Sequence, residues 1–347
     1  MKKIIHIAPA LPPVINGLGD FCKILADNLE REGYTDHVFV VRKPPGLNND
    51  NGIYAFEPQN FYEVLSKHKA DVVVLHYVGY AYNRNGIPFY LVSALRKYKA
   101  VVQCRILVFF HELYSSSNSL LKLPFYTGRL QKRIVRELCG IADAIFTNCS
   151  SYNDRLKKVL HDDTFNAICT GIFSNIPDNL YNDRIPKQEG SMVVFGSFHR
   201  RKAVYENPLF LKVLENLKIN SLYDIGPGEN HFSHRMVNFY VLGSLDPGDM
   251  AIYFNKIKYG ALNYEAHLLG KSGIFSAYAA FGVIPINLFP VDYSLKDGLV
   301  DGKNYFSWSR TVCPEAFTGG MVRRELLAWY NTHNQQAVAN KIKTHLA

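Results

Sequence analysis

Residues 268–287 read LLGKSGIFSAYAAFGVIPIN and contain Gly270-Lys271-Ser272, the triplet that closes a phosphate-gripping P-loop. A P-loop also needs a glycine five residues before the second one. That position is Glu265, so the P-loop reading fails at its defining residue. What remains is a helix start with Lys271, Ser272 and Gly273 in its first turn. Unpaired N–H groups there carry partial positive charge and suit a phosphate. Ser272 as a plain N-cap is the simpler alternative. A second cationic stretch is VVFGSFHRRKAVYEN, residues 193–207. Gly196 allows a tight turn, and His199, Arg200, Arg201 and Lys202 follow. Adjacent cations suit a diphosphate, and arginine adds a forked donor. A solvated basic turn is the structural alternative.

Two further stretches carry polar groups at the ends of apolar runs. In APALPPVINGLGDF, residues 8–21, Gly17 and Gly19 open a helix. A dinucleotide fingerprint would need a third glycine at 22 and an acid ending the next strand. Those positions hold Cys22 and Arg42, so a backbone approach to some other ligand fits better. In FFHELYSSS, residues 109–117, His111 and Glu112 end an apolar run. His111 could donate a hydrogen bond or move a proton, or be a satisfied structural residue. HYVGYAYNRNG, residues 76–86, offers Tyr77, Tyr80 and Asn83, types that stack on and hydrogen-bond sugars or headgroups. Asp162-Asp163 reads as a solvated turn after a helix.

These residues need elements to hold them. Short continuous apolar runs at 3–8, 37–41, 71–78, 106–111, 144–148 and 166–170 read as parallel strands buried on both faces. Helical patterns lie between them: 17–31 stopped by Gly33, then 87–98, 123–141 and 151–160. A polar stretch with two prolines, 177–191, marks a linker at 178–190. A second series follows, with strands at 192–195, 222–225, 239–242, 261–264 and 283–288. Its helices are expected at 208–217, 249–258 and 272–281, and a last helix runs from about 321 to 346. The uncharged run from Ser272 to Val291 holds Gly282, Pro285 and Pro290, so it divides into a helix and a strand. Strand–helix repetition implies two Rossmann-like α/β domains, 1–177 and 191–320, with ligands at the carboxyl ends of their strands.

The 347 residues are 48% hydrophobic and 20% charged, a globular balance with ample core. The six cysteines show no Cys-x-x-Cys and no zinc spacing with histidine, so no metal site is expected. They read as reduced, which suggests a cytoplasmic protein. The first apolar stretch, Ile4 to Ala8, is too short for a signal core and contains His6. No uninterrupted apolar stretch is long enough to span a membrane. The net charge is +9. Between Arg84 and Arg136 lie ten Lys/Arg and one acid, Glu112. A one-signed segment attracts an anionic membrane surface, a pyrophosphate-linked acceptor or nucleic acid, and a solvated helix face is the plain alternative.

The order of these features resembles the GT-B glycosyltransferases, in particular the retaining group called family 4. The likeness rests on Ala8–Phe21, His111, ADAIFTNCSSY (142–152), Gly196–Lys202, YDIGPG (223–228), FYVLGSL (239–245), FGVIPI (281–286) and LLAWYNTHN (326–334). It implies two Rossmann-like domains facing across a cleft, with a C-terminal helix (321–347) crossing back to the first. It implies a nucleoside diphosphate sugar donor in the second domain and a glycan or lipid-linked acceptor in the first. No metal, no further cofactor and no nucleic acid are implied. By this resemblance Arg201 and Lys202 hold the diphosphate, Gly17 and Gly19 approach it, and His111 lies near the transferred sugar. The family's two glutamates, with seven residues between them, would fall at 269 and 277. This chain has Leu269 and Ala277, so Lys271, Ser272 and Gly273 are expected to take over donor contacts. A non-catalytic GT-B subunit and a nucleotide-sugar epimerase are the rival readings.

Overall fold

The structure is a computed structural model. It describes the chain apart from residues 1, 13, 15–16, 32–35, 43–51, 116–122, 291–295, 309–318 and 347, and the side chains of 123–125 and 319. Asn16, Gly33, Ser116, Ser117, Lys122 and Val291 of the stretches above, and the sixth cysteine, Cys313, lie outside the described residues.

The chain divides into two compact units: Met1–Thr170 with Val338–Ala347, and Gly171–Ala337. The first unit runs β1 (Lys3–Ala8), α1 (Gly17–Arg31), β2 (Asp36–Arg42), β3 (Ile53–Phe56), α2 (Phe61–Ser66), β4 (Val72–Tyr77), α3 (Gly79–Tyr82) and α4 (Phe89–Val102). It continues through β5 (Arg105–Phe110), α5 (Leu123–Ile141), β6 (Ala144–Thr147), α6 (Ser150–Leu160) and β7 (Ile168–Cys169). The strands form one parallel sheet in the order β3-β2-β1-β4-β5-β6-β7. β4, VVVLHY, is buried along its whole length, as its unbroken apolar run requires in a sheet covered on both faces. β3 (IYAF) and α2 (FYEVLS) are too short to show a period, and the sequence reading missed both.

The second unit runs β8 (Gln188–Phe195), α7 (Phe198–Tyr205), α8 (Phe210–Asn216), β9 (Ser221–Ile225), β10 (Asn238–Gly243) and α9 (Pro247–Lys256). Next come β11 (Ile257–Leu262), a 3-10 turn at Ala266–Lys271, α10 (Gly273–Ala280), β12 (Ile284–Asn287), β13 (Phe306–Ser307) and α11 (Gly319–Asn331). Its parallel sheet has the order β10-β9-β8-β11-β12-β13. Part of the segment read as a linker, 178–190, belongs to this unit's framework. Asp178 accepts hydrogen bonds from the Tyr330 hydroxyl at 2.7 Å and the Gln335 amide at 3.0 Å, and β8 begins at Gln188.

The uncharged run resolves as expected. α10 is buried on every side from Phe275 to Ala280, so it needs no polar face. The Tyr278 ring lies against Gly260, where a Cβ would come within 2.6 Å of it. Its hydroxyl reaches the carbonyls of Val193 and Ala261 at 3.3 and 3.1 Å. Gly282, at φ +58, ends the helix. Its N–H donates to Ala279 and that of Val283 to Tyr278, the paired bonds of a Schellman motif. β12 then follows, wholly buried.

The expected single C-terminal helix is two. Asn334 accepts from the Ala337 N–H at 2.9 Å and so caps a new helix, α12 (Gln335–Lys343). Its last turns belong to the first unit, where Leu346 accepts from Lys2 at 2.6 Å and His345 stands edge-on to Phe146. Among the described residues no helix is long and apolar enough to cross a membrane.

Lys187 is the one strongly perturbed cation described in this framework. Its amine donates to the carbonyls of Phe254 and Phe281, at the C-terminal ends of α9 and α10. Burial first, and the Arg323 charge second, lower its pKa from 10.5 to about 7. Between those values the unfolded chain binds more protons here than the folded one, so stability rises with pH. Below about pH 7 both states are charged and the slope vanishes. Replacing Lys187 with Met should remove a slope of at most ~1.4 kcal/mol per pH unit between pH 7 and 10. Urea melts of both proteins across that range measure it; parallel curves would refute the assignment.

Candidate functional site

In a parallel sheet, ligands collect where the strand order reverses, because neighbouring loops leave in opposite directions and open a crevice. In the second unit that point lies between β8 and β11. The elements leaving it are α7, after Gly196, and the turn leading into α10. Gly196 has φ +124, and a Cβ there would sit 2.6 Å from Ile274 Cδ1 in the first turn of α10. The two loops therefore touch, and only glycine allows it.

The basic stretch 199–202 is the start of a helix, not a turn. Helical rotation sends its cations different ways. Arg201 is fully buried and its fork is spent inside the protein. Nη1 pairs with Asp224 at 2.9 Å, and Nη2 donates to the carbonyls of Pro227 and Gly228 at 2.7 and 2.6 Å. Asp224 also accepts from the Tyr205 hydroxyl at 2.7 Å. Burial pushes its carboxyl upward; Tyr205, Arg201 and Asn230 pull it back. Arg201 thus holds the loop after β9 in place. Gly226 in that loop has φ +144, and a Cβ would lie 2.0 Å from the Gly196 carbonyl. Lys202 is exposed and faces Glu206 at 3.5 Å, a solvated pair. Arg200 is exposed and stacks on Tyr264, 4.7 Å from the ring centre, in the loop after β11. It is the cation that spans the crevice, and only its place in the helix reveals this.

Ser272 is the N-cap of α10, accepting from the Phe275 N–H at 3.2 Å. Lys271 is half-buried beside it, and Gly273 is exposed with open space around its Cα. An acid stands close by: a Cβ on Gly270 would come within 2.7 Å of Asp297 Oδ2. The turn thus combines a cation, a carboxylate and the capped N-terminus of a helix. Leu269 and Ala277, where the resembled family carries glutamates, are both fully buried and apolar.

The first unit reverses its strand order between β1 and β4. Gly17, the first residue of α1, is exposed, and a Cβ there would meet nothing within 4 Å. Gly19 is a packing glycine, since a Cβ would meet the Ala10 carbonyl at 2.5 Å. Tyr77 is buried, edge-on to Phe110, and its hydroxyl has no described partner. It is a core residue rather than an exposed sugar-stacking ring. Asn83 spends its side-chain oxygen on the N–H groups of Asn85 and Ile87, closing a local turn. Tyr80 keeps an exposed ring, with its hydroxyl held by Ser115 and Gln131. Glu112 is exposed; His111, beside it, is buried.

His111 stacks on Phe109, 4.4 Å between centroids, with Phe21 edge-on at 4.9 Å. Behind it lies an array that sequence reasoning missed. His76 Nδ1 is 3.3 Å from His111 Nε2, His6 Nδ1 is 3.5 Å from His76 Nε2, and His37 Nδ1 is 2.9 Å from His6 Nε2. Burial holds His6 and His76 well below the ordinary imidazole range, aided by the neighbouring histidines. The signal available was a histidine within each of two otherwise apolar strands, KIIHIA and VVVLHY.

No known protein family profile matches this sequence, and no curated protein matches it. Its solved structural neighbours are numerous. Anabaena HepE in complex with UDP-glucose superposes with a TM-score of 0.64 at 11% identity, covering 100% of this chain and 99% of that one. The pneumococcal O-GlcNAc transferase GtfA, in complex with UDP and GlcNAc, gives 0.64 at 9%, covering 99% and 98%. A UDP-N-acetylglucosamine 2-epimerase structure from Listeria monocytogenes gives 0.54 at 13%, covering 99% and 95%. Likeness at this identity establishes the fold, which is GT-B.

The buried pair yields a direct test of the second unit's architecture. Arg201→Met leaves Asp224 without a counter-charge and should cost about 3–5 kcal/mol. Arg200→Ala, exposed one residue away, should change stability by no more than about 0.5 kcal/mol. Denaturant melts of the two variants separate these roles; equal effects would contradict them.

Proposed function

We propose that this chain is a glycosyltransferase that moves a sugar from a UDP-linked donor to a glycan or lipid-linked acceptor. The observation that supports it most is the β8/β11 crevice, in a chain matching UDP-bound glycosyltransferases over its full length. There the positive ends of α7 and α10 converge, joined by Arg200 and Lys271. Helix N-termini and cations together neutralise a departing diphosphate without a metal. Under this proposal the first unit takes the acceptor, His111 adjoins the transferred sugar, and the sugar keeps its anomeric configuration. The pathway is surface polysaccharide or glycoconjugate synthesis in the cytoplasm.

A second reading has its own support. With Leu269 and Ala277 buried, the chain lacks carboxylates where the resembled family binds its donor, which favours a non-catalytic subunit. Thermal-shift screening against UDP, GDP, dTDP, CMP and their sugars decides between them. UDP or a UDP-sugar at about a hundred times its Kd should add ~2.7 kcal/mol, a rise of a few degrees. Arg200→Ala and Lys271→Ala should lose that rise while keeping the unliganded melting temperature. No shift with any nucleotide would move the assignment to the non-catalytic subunit. Conversion of a donor without acceptor would move it to an epimerase.

We also propose that the first unit rests on an anionic membrane. The charge argument alone is weaker than the sequence suggested. Glu137, just beyond the counted window, takes Arg96 and Arg133, and Asp143 takes Lys99. The support comes from helical spacing on α5. Tyr126, Arg129, Leu130 and Arg133 form one exposed stripe, with Tyr126 61% and Leu130 43% exposed. Aromatic, aliphatic and cationic side chains on one face suit a lipid interface. Arg129→Ala with Arg133→Ala should weaken binding to vesicles containing phosphatidylserine on the order of tenfold. Salt-insensitive, unchanged co-sedimentation would sink the idea.

A further inference from the structure

We infer that the first unit holds one thiophilic d10 cation, Zn(II) or Cu(I), between His6, Cys22 and His76. One ligand atom from each lies within 4.8 Å of the others, and all three residues are fully buried. They come from three elements. β1 supplies His6, the adjacent β4 supplies His76 on the same face, and α1, which covers that face, supplies Cys22. Because the ligands are scattered through the chain, no zinc spacing appears in the sequence.

The nitrogen contacts carry the argument. Each inner imidazole turns one nitrogen outward to another histidine: His6 Nε2 to His37 at 2.9 Å, and His76 Nδ1 to His111 at 3.3 Å. If both outward nitrogens donate, His6 Nδ1 and His76 Nε2 are left as lone pairs aimed at each other, 3.5 Å apart. Two lone pairs so placed repel unless a cation lies between them. Around an ion with Zn–N bonds of about 2.0–2.1 Å, two nitrogens at tetrahedral to trigonal angles stand about 3.3–3.6 Å apart. Metal-bound histidines characteristically donate their second N–H to a neighbour, as both would here. The competing arrangement is a head-to-tail chain of neutral imidazoles with a proton in each contact. Its weakest link would be the central contact, which is the longest of the three and the one that Cys22 adjoins.

The donor set selects the ion. Two imidazoles and a thiolate, with no carboxylate in the group, disfavour magnesium and calcium and suit zinc or cuprous copper. Coordination replaces the Cys22 thiol proton, which leaves to solvent, and the metal keeps its oxidation state. Burial alone pushes that thiol up and keeps it protonated, so the cation supplies the charge that the thiolate needs. The ion enters as the unit folds, joins β1, α1 and β4, and fixes His76 Nδ1 as the donor to His111 Nε2. Three donors complete a trigonal cuprous site and leave zinc one further position; the residues that hold the ion lie in the first unit, and the proposed nucleotide crevice is in the second.

The test is metal content of untagged protein grown in minimal medium with zinc, copper or cobalt, then dialysed against EDTA. About one ion per chain should remain with zinc or copper. The cobalt-grown protein should show a thiolate-to-metal absorption band in the near ultraviolet. Cys22→Ala should lose the band and most of the metal, while Cys104→Ala, at another buried thiol, should keep both. Folded wild type retaining far less than one ion from every medium would overturn the inference in favour of the neutral chain. So would full metal content in folded Cys22→Ala. Neither readout depends on nucleotide binding.

Discussion

A parallel strand covered on both faces has its backbone groups paired along its length and room only for apolar side chains. Chemistry is pushed to where the strand stops, and mostly to the one place in each sheet where the order reverses. In the first unit that place is between β1 and β4, and in the second between β8 and β11. The exposed polar candidates gather at these loops because they have nowhere else to go. Gly196 and Gly226 serve the same constraint, since the loops at the second reversal pack backbone against side chain and backbone against backbone.

Arg201 and Asp224 show what that packing requires. Burying a charge is costly unless pairing and hydrogen bonds are complete or nearly so. Here the arginine meets a carboxylate and two carbonyls, and the carboxylate meets a tyrosine as well. The carbonyls belong to Pro227 and Gly228, so the pair ties α7 to the loop after β9. Its neighbour Arg200, about 100° further round the helix, is thereby aimed at Tyr264 across the crevice. One buried cation sets the direction of the exposed one.

Much of the fold was legible because it is written in continuous apolar runs. VVVLHY, RILVFF and the SAYAAFGVIPIN stretch each became the element expected. What escaped was short, or depended on helical phase. β13 has two residues. The stretch 198–205 has so many polar residues that it read as a turn. Choosing between Arg200 and Arg201 needs the helix axis, and recognising Asn83 as a turn former needs its two N–H partners. Tyr77 was a candidate because it stands at a strand's carboxyl end, yet it is buried there as the last residue of the strand. Residue type suggested the right loops; residue direction had to come from packing.

The histidine array was the least legible feature, and it turns on the same constraint. Val or Ile would fill the positions of His6 and His76 with no desolvation penalty, whereas an imidazole there must find partners on both nitrogens. His6 and His76 each turn a nitrogen to a histidine carried by another part of the chain, so no single residue explains itself. The array ends at His111, the one member placed at a strand's carboxyl end. With the proposed ion in place, His76 Nδ1 carries the proton and His111 Nε2 accepts it. Its other nitrogen, Nδ1, is then left to carry the proton of the neutral ring. In that sense the interior of the first sheet determines the chemistry offered at its edge.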